Sequence, residues 1–333
     1  LVEAENYITA DSSHATYKPQ KESFNGYLYA AQTDSWQAYS GQALAQMWPG
    51  GSYAIYQINA PKDGIYGISF RVASNKDDSN SSFKISVSTD NSQYTTQEIS
   101  VEVPNTNTLS GGKSQYHSYI DTDACAVRLK KGVNYIKIET VTASIPNIDL
   151  FTLTFAPTNI RYSAAGYLFA DSNTDTKPFL ESFSGYLLDE STNIWNQYNG
   201  KSLARMYSDG AYAIYEIYVP ENNNYKISFR LASGRDNADN SFDIALSSNN
   251  ISYAEQNLSV SVPNTATLSG NKSTWHSYID TDWYSITLSE GTNYIKILRK
   301  TTNIPNIESF MIAVEEESVS SGPQEPDQTG DII

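Results

Sequence analysis

The sequence is poor in the features that define several large protein classes. Its 333 residues include one cysteine, Cys125, so no disulfide can form within the chain, and the redox compartment stays open. No apolar run reaches the roughly 18 residues of a membrane-spanning helix. Only 22 basic residues stand against 37 acidic ones, a net charge of −15. We therefore expect neither a membrane span nor a nucleic-acid partner, since phosphate binding needs a basic face.

The chain contains one long sequence written twice. ESFNGYL at 22–28 returns as ESFSGYL at 181–187, and HSYIDTD at 117–123 returns at 276–282, both after 159 residues. A period this long is typical of an independent domain and too long for a solenoid. We predict one domain over residues 1–157 and a second over 158–314.

The last segment, residues 315–333, differs from both copies. It holds six acidic residues, no lysine or arginine, and several serines, prolines and glycines. Such a composition buries nothing and repels itself. It predicts an acidic linker or a disordered tail.

Short alternating runs in both copies favour β-strands. In Tyr66–Val72 and in Tyr225–Leu231, apolar residues alternate with small or polar ones, as on a strand with one buried face. Clusters of Pro, Gly, Asn and Ser separate such runs, and no segment predicts an amphipathic helix of ten residues. The expected fold class is all-β, with two tandem antiparallel β-sandwich (jelly-roll) domains.

The order of these runs resembles a known family. Each copy is similar to carbohydrate-binding modules of family 6 and of the related family 35. The segments that carry the resemblance in the first copy are Glu3–Tyr7, Gly51–Tyr56, Phe70–Ala73, Tyr135–Ile138 and Asn147–Phe151. The resemblance implies a jelly roll with a glycan site in the loops at one end.

That site, carried over residue by residue, consists of two aromatic side chains and an amide in each copy. Aromatic rings pack on the apolar C–H face of a pyranose, and an amide bonds its hydroxyls. The residues implied are Trp48, Tyr116 and Asn147 in the first copy, and Tyr207, Trp275 and Asn306 in the second. The family's second aromatic aligns with Met47 and Met206, so Trp48 and Tyr207 need a shift of one residue. Each residue has a structural alternative, as a core aromatic or a turn-capping asparagine.

The resemblance also implies a structural calcium ion in the first copy only. Its ligands there would be Glu3, Glu5 and Asp149, whose hard oxygens suit Ca²⁺. The aligned residues of the second copy are Tyr162, Ala164 and Glu308, which lack two of the three carboxylates.

The function expected is non-catalytic binding of a neutral polysaccharide or oligosaccharide, outside the cell, beside a catalytic module in the same full-length protein. No serine-hydrolase, zinc, phosphate-loop or dinucleotide motif is present. Two alternatives stay open. One is a β-sandwich polysaccharide lyase using His117 or His276, although an exposed strand face is the favoured position of both histidines. The other is a surface adhesin or lectin.

Overall fold

The first copy is built of short strands. The computed structural model describes residues 1–315 apart from 15, 17, 48–50, 77–81, 100, 144, 157 and 158. Its strands up to residue 155 are β1 (Val2–Glu3), β2 (Thr9–Asp11), β3 (Gln20–Ala30), β4 (Ser35–Ala45), β5 (Tyr53–Ala60), β6 (Gly64–Ala73), β7 (Phe83–Ser88), β8 (Thr95–Gln97), β9 (Ser118–Asp121), β10 (Cys125–Leu129), β11 (Gly132–Thr140) and β12 (Asn147–Phe155).

The second copy repeats this order strand for strand. Its strands are β13 (Asn159–Ser163), β14 (Phe169–Asp171), β15 (Phe179–Asp189), β16 (Ile194–Ala204), β17 (Tyr212–Val219), β18 (Asn223–Ala232), β19 (Phe242–Ser247), β20 (Ala254–Glu255), β21 (Ser277–Asp280), β22 (Tyr284–Leu288), β23 (Gly291–Arg299) and β24 (Asn306–Val314). The helices in the described residues are one-turn elements, namely α1 (Thr106–Leu109), α2 (Thr265–Leu268), and 3₁₀ turns at Ala31–Thr33 and Ala164–Gly166. The all-β prediction is confirmed, and none of the described helices is long and apolar enough to cross a membrane.

Each copy packs two sheets face to face. One is five-stranded, in the order β2-β5-β11-β7-β8 in the first copy and β14-β17-β23-β19-β20 in the second. In the first copy, Tyr56 on β5 meets Phe151 on β12 edge to face, with ring centroids 5.0 Å apart. Tyr215 and Phe310 repeat that contact at 5.1 Å. The apolar residues of the facing strands form the main core of each copy, and a smaller buried cluster lies around Phe24 in the first copy and around Phe183 in the second.

The opposing sheets of the two copies are joined into one sheet of fourteen strands. The connection is a parallel pairing of β10 with β13, through Cys125 and Arg161. Parallel pairs also occur within each copy, between β3 and β9 and between β15 and β21. The other strand pairings in the described residues are antiparallel, so the prediction of antiparallel β-sandwiches is confirmed, and the copies meet edge to edge. The boundary predicted at 157/158 lies outside the described residues, as does the tail beyond 315.

Charged residues reinforce this junction. The ion pairs that cross it include Arg128–Glu216 at 2.7 Å, Lys201–Glu98 at 2.6 Å and Arg230–Glu102 at 2.8 Å. Five of the six residues in these pairs have an uncharged residue at the equivalent position of the other copy. Those residues are Gln42, Gln57, Asn257, Ser261 and Thr287. These five charges therefore belong to the contact between copies, whereas Arg230 corresponds to Arg71 and is part of the repeated fold.

Candidate ligand-binding pockets

Hydrogen bonds hold the loop that precedes β9 and carries Tyr116. The Asn105 side chain caps α1 by accepting from the Thr108 N–H at 3.1 Å. Beyond the helix, the Ser118 hydroxyl donates to the Ser110 hydroxyl at 2.9 Å, which closes the loop on itself. In the second copy, Asn264 caps α2 in the same way, so Trp275 has equivalent support.

The histidines after these aromatics are held against β3 and β15. The Tyr27 N–H donates to the His117 carbonyl at 2.8 Å. This approach requires glycine at position 26, because a Cβ there would lie 2.0 Å from the His117 oxygen. The His117 Nε2 is 2.9 Å from Glu22 Oε1, and its ring stacks on Phe24 with centroids 5.5 Å apart. His276, Glu181 and Phe183 repeat the arrangement. The prediction that both histidines lie on an exposed strand face is wrong, because both are half-buried against an aromatic ring.

The second copy gathers all three of its predicted site residues. Tyr207, Trp275 and Asn306 line one pocket of about 470 Å³. Tyr207 is 50% exposed, whereas Trp275 is half-buried and Asn306 is buried. The Asn306 Nδ2 donates to Glu181 Oε1 at 2.6 Å and to the Trp275 carbonyl at 3.3 Å. Two accessible aromatic faces, an amide and a carboxylate therefore face the same space.

The first copy forms the equivalent pocket, of about 730 Å³, lined by Tyr116 and Asn147. Tyr116 is 40% exposed, and the Asn147 Nδ2 donates to the Tyr116 carbonyl at 3.3 Å. Met47 is buried in the pocket wall, as Met206 is in the second copy. Trp48 lies outside the described residues, so its proposed place beside this pocket stays a prediction.

Sequence reasoning did not place the charged residues of the pockets. Glu22 and Lys76 line the first pocket, and Glu181, Arg205 and Arg235 line the second. The glutamates belong to the repeated ESFxGYL motif, which was a usable signal. Arg205 carried no such signal, because it replaces Gln46 of the first copy, whereas Arg235 and Lys76 keep a cation at equivalent positions. Their position depends on where the loops of distant strands meet.

The proposed calcium ligands lie at the edge of the first copy, where β1 pairs with β12. Asp149 is buried, and its Oδ2 accepts from the Tyr39 hydroxyl at 2.6 Å. Burial is the main cause that raises the pKa of Asp149 to about 6, and the charges of Glu3 and Glu5 add to it. Glu5 Oε2 is buried without a hydrogen-bond partner among the described residues. These two features fit a cation.

The grouping of the three carboxylates does not meet the geometry of a metal site. Across the described residues, no three His, Cys, Asp or Glu side chains are gathered as the ligands of one ion. A calcium ion held by Glu3, Glu5 and Asp149 would thus need the three carboxylates to move closer together. In the second copy, Glu308 is fully buried beside Ser309 and Tyr198. Burial raises its pKa, while Arg230 and Arg161 act in the opposite direction.

Comparisons with known proteins find similarity in structure alone. No family profile matches the sequence, and no curated protein does. A family 35 carbohydrate-binding module from Clostridium thermocellum is 16% identical, with 48% of this chain and 100% of that chain covered and a TM-score of 0.33. The C-terminal family 6 module of a marine laminarinase from Zobellia galactanivorans is 20% identical, with 46% and 98% covered and a TM-score of 0.30.

A tandem pair of family 22 modules from a Paenibacillus barcinonensis protein matches the length of both copies. It is 12% identical, with 94% of this chain and 99% of that chain covered and a TM-score of 0.32. The two families that the sequence resembles thus recur among the structures that match. At this similarity, membership of either family stays a resemblance.

Proposed function

We propose that the chain binds a polysaccharide or oligosaccharide without catalysis, through one pocket in each copy. The observation that supports this most strongly is the convergence of Tyr207, Trp275 and Asn306 on one open pocket. A pyranose stacked on the indole would bury its C–H face, and its hydroxyls would lie near Asn306, Glu181 and His276. Aromatic anchors of this kind supply most of the affinity in many interfaces.

The acidic residues of the pockets favour binding over hydrolysis. Glu181 is the only Asp or Glu among the described lining residues of the second pocket, and Glu22 is the only one in the first. Glycoside hydrolases with the common mechanisms need two carboxylates across the scissile bond. In the lyase alternative, His117 or His276 would move a proton. A lyase leaves unsaturated products, so an assay for those products tests this alternative.

The junction between the copies bears on affinity. Because β10 pairs with β13, the two pockets belong to one body and not to modules on a flexible tether. Once one pocket holds a glycan chain, the second meets the same chain at a high effective concentration if the chain spans both. Single pockets would then bind weakly and the pair more tightly.

The acidic balance of the whole chain, −15, favours a neutral glycan backbone over a polyanion. Within a full-length protein, we propose that the pair acts outside the cell and holds a catalytic module, or the cell surface, near its polysaccharide. A glycan array distinguishes these two roles. A chain that holds a catalytic module near its substrate should bind polymeric glycans, whereas an adhesin should bind shorter ones.

The full chain tests this proposal. Wild type should bind at least one array glycan, and Tyr116→Ala with Trp275→Ala should lose it while the melting temperature stays within about 2 °C, since both side chains lie outside the core. Trp283→Ala is the matched control, because Trp283 is a 42% exposed tryptophan that lines neither pocket. Reducing ends or unsaturated products after incubation would point to an enzyme instead.

A further inference from the structure

The two pockets differ in charge although their aromatic and amide residues correspond. Arg205 and Arg235 line the second pocket, whereas the first has Gln46 and Lys76 at the same places. Among the described lining residues each pocket has one carboxylate, so with histidine counted as neutral these residues sum to one positive charge in the second pocket and to zero in the first. Each of these residue pairs occupies equivalent positions of the two copies, 159 residues apart.

Both guanidinium groups are placed by aromatic rings. The Arg205 group lies 4.4 Å from the centroid of Phe179, and the Arg235 group lies 5.7 Å from the centroid of Trp275. Stacking of this kind restrains the planar group and leaves its N–H edge available. Position 20, which corresponds to Phe179, is a glutamine, so the first copy lacks that platform.

Neither guanidinium forms an ion pair with a carboxylate of the described residues. Among the described residues, no carboxylate oxygen lies within 4.0 Å of a nitrogen of Arg205 or Arg235, whereas Arg299 pairs with Asp209 at 2.9 Å. The carboxylate of the same pocket, Glu181, is instead held by Asn306 and His276. Two exposed cations thus face a pocket whose own carboxylate is already bonded.

We infer that the second pocket accepts a sugar bearing one anionic group, a carboxylate or a sulfate ester, on an otherwise neutral glycan. This rests on the proposed function. Arginine binds both groups through two parallel N–H···O bonds, and a lysine offers only a point charge. The net charge of −15 disfavours a polyanion at long range, so isolated acidic groups on a neutral backbone fit best. The second copy would then prefer the decorated residues of a polysaccharide that both copies bind.

Matched monosaccharide probes test the inference on the full chain. The probes are methyl glycosides of glucose, galactose and mannose, each with its uronate and its 6-sulfate, titrated by calorimetry and by saturation-transfer NMR. Wild type should bind a charged probe about tenfold or more tighter than its neutral partner, and the uronate and sulfate arms identify which anion is preferred. Arg205→Gln with Arg235→Lys, which installs the residues of the first copy, should remove the preference. Arg205 and Gln46 share a left-handed backbone, with φ near +58° in both, so the exchange strains neither loop.

The control changes the same positions of the first copy. Gln46→Ala with Lys76→Ala should keep the preference for the charged probe. Equal affinity for charged and neutral probes in wild type, absent binding of every charged probe, or a preference that survives the double arginine change overturns the inference. None of these removes binding to array glycans, and it is loss of that binding in wild type that overturns the proposed function.

Discussion

Asp149 gives the sharpest test of the proposed calcium site. Its pKa is raised to about 6, from an ordinary value of 3.8, chiefly because the carboxyl is buried. Between those pH values the folded state keeps a proton that the unfolded state releases. Stability therefore falls as pH rises through this window, and above pH 6 the ionised carboxylate costs roughly 3 kcal/mol. A calcium ion held with Glu3 and Glu5 would offset that cost.

The expected result is a difference between wild type and Asp149→Asn in chemical unfolding monitored from pH 4 to pH 7.5. In EDTA, the free energy of unfolding of wild type should fall by about 2–3 kcal/mol relative to the variant across this range. Calcium at pH 7.5 should then stabilise wild type, by ~2.7 kcal/mol at a hundredfold excess over the dissociation constant, and leave Asp149→Asn unchanged.

Glu308→Gln is the matched control, because it alters the same position of the second copy. There Tyr162 and Ala164 replace two of the proposed ligands, so the calcium response should persist. A wild-type protein without any calcium response, or an Asp149→Asn protein that keeps it, would refute the proposed ion. A pH profile identical in wild type and Asp149→Asn would refute the argument from burial.

Two further predictions concern the junction. Glu102→Gln should lower the free energy of unfolding by about 1–3 kcal/mol, because it removes a charged partner from the buried Arg230. Glu98→Gln should change it by less than about 1 kcal/mol, because the Glu98–Lys201 pair is partly exposed. Urea unfolding of both variants measures the difference, and equal effects would contradict the prediction. Cys125 should resist thiol reagents until the junction opens, because burial raises the pKa of its thiol to about 12; rapid labelling of the native protein would contradict a closed junction.

Much of the fold was predictable because strand periodicity is a local signal and the repeat lets each strand be checked against its counterpart. The alternation in Tyr66–Val72 and Tyr225–Leu231 predicts strands, and both segments lie within β6 and β18. The joined sheet was not predictable in this way. It depends on positions where the copies differ, such as Arg161 in place of Val2. A comparison of the two copies reveals only what they share, so it does not predict the junction.

The candidate site was predictable only in part, for a similar reason. The resemblance assigns Trp275 and Asn306 by alignment, and both line one pocket; their contact with a glycan stays a prediction. The histidines were misplaced, because a lone histidine in a strand pattern does not reveal what faces it. Only the fold shows that His276 lies beside Glu181, through the close approach that Gly185 permits.

The central claim is that each copy holds one glycan site. Calorimetric titration of the full chain with an oligosaccharide identified on the array, too short to span both pockets, measures it directly through the stoichiometry. We predict two equivalents for wild type and one for each single variant, Tyr116→Ala and Trp275→Ala. One equivalent in wild type, or a stoichiometry that neither substitution changes, would contradict the claim.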